Sequence, residues 1–131
     1  MEVVWPLLLD THTVLWWVNA DAALTNRART AIAHAAVVLV SAASAWEMAI
    51  EASAGRLPSA LDFLQDFEGA LDKDGFQALS ITAAHGLRAG LLPGPHKDPF
   101  DRMLIAQAQA ENLTIVSNDA VFDRYGVRRL W

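Results

Sequence analysis

HKDPFDRMLIAQAQAENLTIVSND, residues 96–119, decides how this chain folds. Two acids, Asp98 and Asp101, stand at the head of a helix-forming run with Pro99 between them. Acids at a helix N-terminus suit the macrodipole and cap free N–H groups, and proline is accepted at the first helical position. The run DPFDRMLIAQAQAEN then gives way to LTIVS (113–117), a short apolar stretch read as a buried strand. Asp119 follows two residues after Ser117. A helix thus delivers the chain into a strand, and the strand delivers it to an acid.

The same alternation runs outward. VVWPLLL (3–9) reads as a buried strand interrupted by Pro6 and ending at Asp10, with THTVLWWVN as the helix behind it. Thr25 caps TNRARTAIAHA, and AVVLVS (36–41) is the second strand. SAWEMAIEASAG is the next helix, with Ser44 and Glu47 at capping-box spacing and Gly55 as its stop. One further helix, LDFLQDFEGAL, leads to Gly75, and FQALSI is the third strand. Thr82 caps ITAAHGLRAGLL, Pro93-Gly94-Pro95 breaks the chain, a short helical turn covers DAVFDRYG, and VRRLW is a fifth strand. Strands alternating with helices imply an α/β fold with a parallel sheet covered on both faces, here one domain spanning 1–131.

Composition narrows the function. Of 131 residues, 53% are hydrophobic, enough for a core without crosslinks. The absence of cysteine excludes disulfides and thiolate metal sites and fits a reducing compartment. MEVVWPLLLD lacks a basic flank and is not read as a signal peptide, and no apolar run approaches the ~20 residues of a membrane span. The expected location is cytoplasmic, with no membrane partner. A net charge of −5 argues against binding nucleic acid by bulk charge, but it is compatible with a carboxylate cluster neutralised by metal ions.

In parallel α/β sheets, sites lie beyond the carboxyl ends of the strands. Asp10 and Asp119 follow strands directly, Glu47 lies early in the helix after the second strand, and Asp98 and Asp101 sit roughly 60° apart at one helix head. Crowded carboxylates need a counter-charge, and an all-oxygen donor set suits Mg²⁺ or Mn²⁺ rather than zinc. Two such ions about 3.5–4 Å apart would activate a water and stabilise a leaving oxygen in phosphodiester cleavage. Bland readings stand beside these: an Asx-turn for Asp119, a capping box for Glu47, an N-cap for Asp98.

These segments, in this order and spacing, resemble the PIN-domain ribonucleases, and most closely the VapC toxins of type II toxin–antitoxin systems. LLLDTHTVLWW carries Asp10, VSAASAWEMAIEASAGRL carries Glu47, and HKDPFDRMLIAQAQAENLTIVSND carries Asp98, Asp101 and Asp119. The resemblance implies a three-layer α/β/α sandwich with sheet order 3-2-1-4-5 and a metal-dependent endoribonuclease. Asp10 and Asp101 would be the principal Mg²⁺ ligands, with Glu47 and Asp119 completing the pocket and Asp98 an additional acid. Ser117 or Thr11 would orient water or carboxylates. It also implies an RNA substrate cut in line without a 2′,3′-cyclic product, a cognate VapB-like antitoxin, and a homodimer. The competing reading is a catalytically inactive PIN-fold protein-interaction module. An aspartyl phosphatase would want an acid two residues after Asp10, where His12 stands.

Other residues have plainer readings. His12 is read as a packing or hydrogen-bonding residue before a general base. His96, Lys97 and Arg102 flank the acids, as RNA-phosphate contacts or as a solvated loop with an acid-pairing arginine. Arg27, Arg29, Arg56, Arg128 and Arg129 read as surface charge. Trp16, Trp17 and Trp46 are ranked as core first, protein interface second and base stacking third.

Overall fold

The computed structural model describes residues 5–57 and 61–131. Among these residues, five short strands form one all-parallel sheet in the order β3-β2-β1-β4-β5. They are β1 (Leu7–Leu9), β2 (Val38–Ser41), β3 (Gln77–Leu79), β4 (Thr114–Val116) and β5 (Arg128–Leu130). The expected order is therefore found. Among the described residues, seven α-helices accompany them: α1 (Thr11–Val18), α2 (Asn26–His34), α3 (Ala42–Ser53), α4 (Leu61–Gln65), α5 (Phe67–Lys73), α6 (Ala83–Leu91) and α7 (Pro99–Glu111). A 3-10 helix, Ala120–Tyr125, joins β4 to β5.

β1 occupies the centre, with Leu8 paired to Leu39 on one side and to Ile115 on the other. Side chains alternate across a strand, so β1 feeds both faces. Leu7 and Leu9 enter a core with Val14, Ile32, Val40 and Met48. Leu8 enters the opposite core with Leu104, Ile105, Ile115 and Phe122. The central strand is thereby locked between two helix layers, and the residue that follows it, Asp10, is fixed at the sheet's carboxyl edge.

Several boundaries differ from the sequence reading. Of the run 3–9, positions 3 and 4 lie outside the described residues, and the strand begins only after Pro6. Proline lacks a ladder donor and sits naturally just before a strand; its carbonyl accepts from Thr114 N at 3.0 Å. α3 starts two residues earlier than Ser44 because Ser41 is its N-cap, accepting from Ala43 N at 3.0 Å. The expected Ser44–Glu47 capping box is therefore not formed. The single helix expected over LDFLQDFEGAL is two, because Asp66 caps α5 and interrupts the run. Thr25, Thr82 and Asp98 cap α2, α6 and α7 as read, with Pro99 at the helix start. Gly55, at φ +77°, follows the end of α3 in the left-handed region that glycine enters freely.

Candidate active site

Asp10 sits where β1 ends and α1 begins. Its Oδ1 accepts from Thr13 N at 2.8 Å, and its own N–H extends the ladder to Val116 O at 3.2 Å. Asp10 thus caps α1 and directly follows the last residue of the central strand. Thr11, the next residue, reaches across to α3. Its hydroxyl donates to Glu47 Oε1 at 2.5 Å and shares a 3.1 Å hydrogen bond with the Ser44 hydroxyl. Ser44 is buried and belongs to this bridge rather than to a cap.

Asp98 caps α7, its Oδ1 accepting from Asp101 N at 3.0 Å. Asp101 lies in the first turn behind it, with Oδ2 2.8 Å from His96 Nε2. On the far side of β1, Ser117 Oγ accepts from Asp119 N at 3.0 Å, and Asp119 Oδ1 accepts from Val121 N at 2.9 Å to start the 3-10 helix. All five acids line one open cavity of about 620 Å³, with Thr11, His12, Trp16 and Asn118 in its wall.

Each acid therefore commits one oxygen to a positioning hydrogen bond. Among the described residues, the second oxygen of each has no hydrogen-bond partner. The electrostatics follow. Burial pushes the Asp101 carboxyl up to about 6; the His96 hydrogen bond opposes this, and neighbouring Asp98 and Glu47 reinforce it. Glu47 is raised as well, chiefly by burial and further by Asp98 and Asp10, against the lowering effect of the Thr11 hydroxyl. These groups repel one another and hold protons more tightly than free carboxylates do.

The donor set fits hard divalent cations: five carboxylates, the Thr11 hydroxyl and the Asn118 amide line the cavity from four chain segments, with His12 at its exposed rim. Among the described residues, no three acids or histidines approach closely enough to hold an ion between them. Mg²⁺ usually keeps several waters and takes one or two carboxylates directly, so an open ring of acids suits it better than a tight cage.

Two flanking residues have roles that the sequence reading did not assign. Arg102 pairs with no acid among the described residues; its guanidinium donates to the carbonyls of Ala89 at 3.2 Å, His96 at 2.9 Å and Leu92. His96 faces Asp101 itself. No helical periodicity links positions 96 and 101, because the loop, not the helix, carries the histidine. Trp46 is not core: it is 59% exposed, with its ring edge-on to Phe100 at 5.0 Å. Trp16 and Trp17 are half-buried, packed against Trp131 and Phe76 respectively. Arg128 and Arg129 also do more than carry surface charge. Arg128 lies 3.9 Å over the Trp5 ring, and Arg129 holds Asp123 through two nitrogens and Ser117 O at 3.1 Å.

Known proteins resemble this chain in sequence and in fold. The PIN domain family model matches residues 7–128. Ribonuclease VapC22 of Mycobacterium tuberculosis is 30% identical over 114 residues, covering 86% of each chain. Among solved structures, FitAcB from Neisseria gonorrhoeae superposes with a TM-score of 0.72 at 16% identity, covering 95% of this chain and 96% of that one. VapBC2 from Rickettsia felis, bound to a DNA fragment from its promoter, gives 0.67 at 17% identity, with coverage of 95% and 96%.

Proposed function

Because this chain belongs to the PIN domain family, in its VapC branch, we propose that it is a divalent-metal-dependent endoribonuclease and the toxin of a toxin–antitoxin pair. The observation that carries this reading is the convergence of five carboxylates on one cavity, each with one oxygen fixed and one uncommitted. The relative named as a ribonuclease supports the substrate class. Asp10, Asp101, Glu47, Asp119 and Asp98 are the residues that would hold Mg²⁺ or Mn²⁺. When bound, such ions supply water activation and charge neutralisation at a phosphodiester.

The chain's own residues then have definite tasks. β1 and α1 hold Asp10 rigid at the centre of the site. Thr11 fixes which oxygen of Glu47 faces inward. Asp101 would have to be deprotonated to hold a cation, so metal binding would strengthen as pH rises through about 6. Burial, with the neighbouring acids, raises the proton affinity of Asp101 and Glu47, and this supports a site that takes up positive charge.

The toxin–antitoxin pairing rests on the solved relatives, which include VapBC from Salmonella typhimurium bound to DNA and a toxin–antitoxin complex from Klebsiella pneumoniae. A VapB-like antitoxin, a homodimer and a cytoplasmic setting complete the reading. Among the described residues, no helix is long and apolar enough to cross a membrane.

The test is RNA cleavage by antitoxin-free protein with Mg²⁺ or Mn²⁺, against EDTA and an Asp101→Ala control, with the ends mapped by sequencing. Discrete cuts that vanish in both controls are expected. Products ending in 2′,3′-cyclic phosphate would overturn the in-line metal-dependent route. Absence of both cutting and metal binding in folded protein would favour the inactive interaction module. Three of the acids also serve as caps, and such a module would retain them.

A further inference from the structure

We propose that His96 is a positioning residue for Asp101, holding Oδ2 so that Oδ1 alone faces the cavity; this rests on the metal-dependent reading above. The terminal torsion of an aspartate is broad and roughly two-fold, so an unheld carboxylate interchanges its oxygens. His96 Nε2, 2.8 Å from Oδ2, removes that freedom. Among the described residues, Asp101 is the one cavity acid hydrogen-bonded to a histidine.

The histidine is itself built in. Its backbone N–H donates to Tyr125 Oη at 3.2 Å, and its carbonyl accepts from Arg102 at 2.9 Å. Arg102 also clasps the carbonyls of Leu92 and Ala89, so one guanidinium closes the loop between α6 and α7. Gly94 stands at φ +106°, and a Cβ there would fall 2.7 Å from Tyr125 Oη. The loop is therefore shaped around the tyrosine that supports the histidine. Pro93 and Pro95 restrict the backbone on either side of Gly94. Each contact is local, and together they run from the 3-10 helix to the head of α7 and end on one carboxylate oxygen.

The experiment uses the full chain, free of antitoxin. Mn²⁺ affinity is measured by electron paramagnetic resonance, and kcat and KM for RNA are measured separately. The proteins compared are wild type, His96→Ala, His96→Gln and Tyr125→Phe, each shown folded by circular dichroism. Loss of a partner that orients a metal ligand costs roughly 10–100-fold in affinity or activity. His96→Ala is expected to bind Mn²⁺ at least ~10-fold more weakly and to lose kcat with KM unchanged. His96→Gln keeps an N–H donor and should recover most of the loss, with Tyr125→Phe falling between. Wild-type Mn²⁺ affinity and kcat in His96→Ala, while the wild type cuts RNA, overturns the positioning role alone. So does a glutamine variant as defective as alanine. A wild type that neither binds Mn²⁺ nor cuts RNA overturns the metal-dependent reading, and the positioning role with it.

Discussion

Helix α7 has an imidazole–carboxylate pair at each end, and the two pairs could hardly be used more differently. At its head, His96 and Asp101 are about equally accessible, with side chains 24% and 25% exposed. At its tail, His85 is 2% exposed and lies 3.0 Å from Glu111, which is 48% exposed. His85 is saturated with structural contacts: Nδ1 accepts from Thr82 N at 3.1 Å, completing a capping box, while Nε2 pins α6 to α7. Its carboxylate partner is about half exposed. Asp101 instead shares a partly buried cavity with four other acids, and its proton affinity rises. The same two functional groups make a rivet at one end and a charged site at the other. The surroundings, not the pair, decide which.

The largest effect should come from the head. Asp101→Asn keeps the shape and an acceptor for His96 but removes the charge, and cleavage should fall by more than ~100-fold, beyond what loss of a supporting residue costs. Single-turnover RNA cleavage measures this, and a variant within tenfold of wild type would erase the distinction between the two ends.

The tail should respond in stability instead. His85→Ala empties a buried position and removes the acceptor for the Thr82 amide, costing about 2–4 kcal/mol. Mn²⁺ affinity should be unchanged, and urea unfolding beside a Mn²⁺ titration separates the two quantities. A large change in affinity would mean that the tail pair feeds the site after all.

The pH dependence of metal-free protein sharpens the contrast. Asp101 has its folded-state pKa raised to about 6, above an ordinary 3.8. Its contribution to stability is therefore complete below about pH 4 and is lost as pH rises through 6. Relative to Asp101→Asn, wild type in EDTA should lose up to about 3 kcal/mol between pH 4 and pH 7.5, an order-of-magnitude figure from that shift. Thermal denaturation of both proteins across this range gives the difference directly, and a flat difference contradicts it. Saturating Mn²⁺ should reverse the trend.

The smallest effect belongs to the bridge between α1 and α3. Thr11→Val keeps the volume but drops the hydroxyl that Glu47 accepts from. A loss of a few-fold in kcat is expected, on the scale of one hydrogen bond of about 1 kcal/mol. The apparent pKa of Glu47 should rise further, because that hydroxyl opposes the upward push of burial. NMR titration of Glu47 reads this, and a fall would refute it.

Much of this was legible in the sequence because the signals are local. A three-residue apolar strand followed by an acid, or a threonine immediately before a helix-forming run, needs no knowledge of the rest of the chain. β1 and the caps at Thr25, Thr82 and Asp98 were readable for that reason. The approach of Asp10, Glu47, Asp98, Asp101 and Asp119 to one edge followed from strand polarity alone. Choosing Ser41 over Ser44 as the cap of α3 was not readable, since Ser44 is claimed by Thr11, 33 residues away. Arg102 could not be assigned because its three acceptors are loop carbonyls whose positions no periodicity fixes. The break at Asp66 did have a local signal: an acid followed three residues later by the glycine whose N–H it accepts.

Three of the five cavity acids, Asp10, Asp98 and Asp119, are also N-caps. Selection on such a chain acts through two channels at once. A lineage that gave up RNA cleavage would still be held to an acid or a close substitute at these three positions, for the sake of helix initiation. Glu47 and Asp101 cap nothing, and their burial as charges is a burden without a cation. They would be the first to drift, so in descendants of this fold those two positions, rather than the other three, mark which copies still work as enzymes.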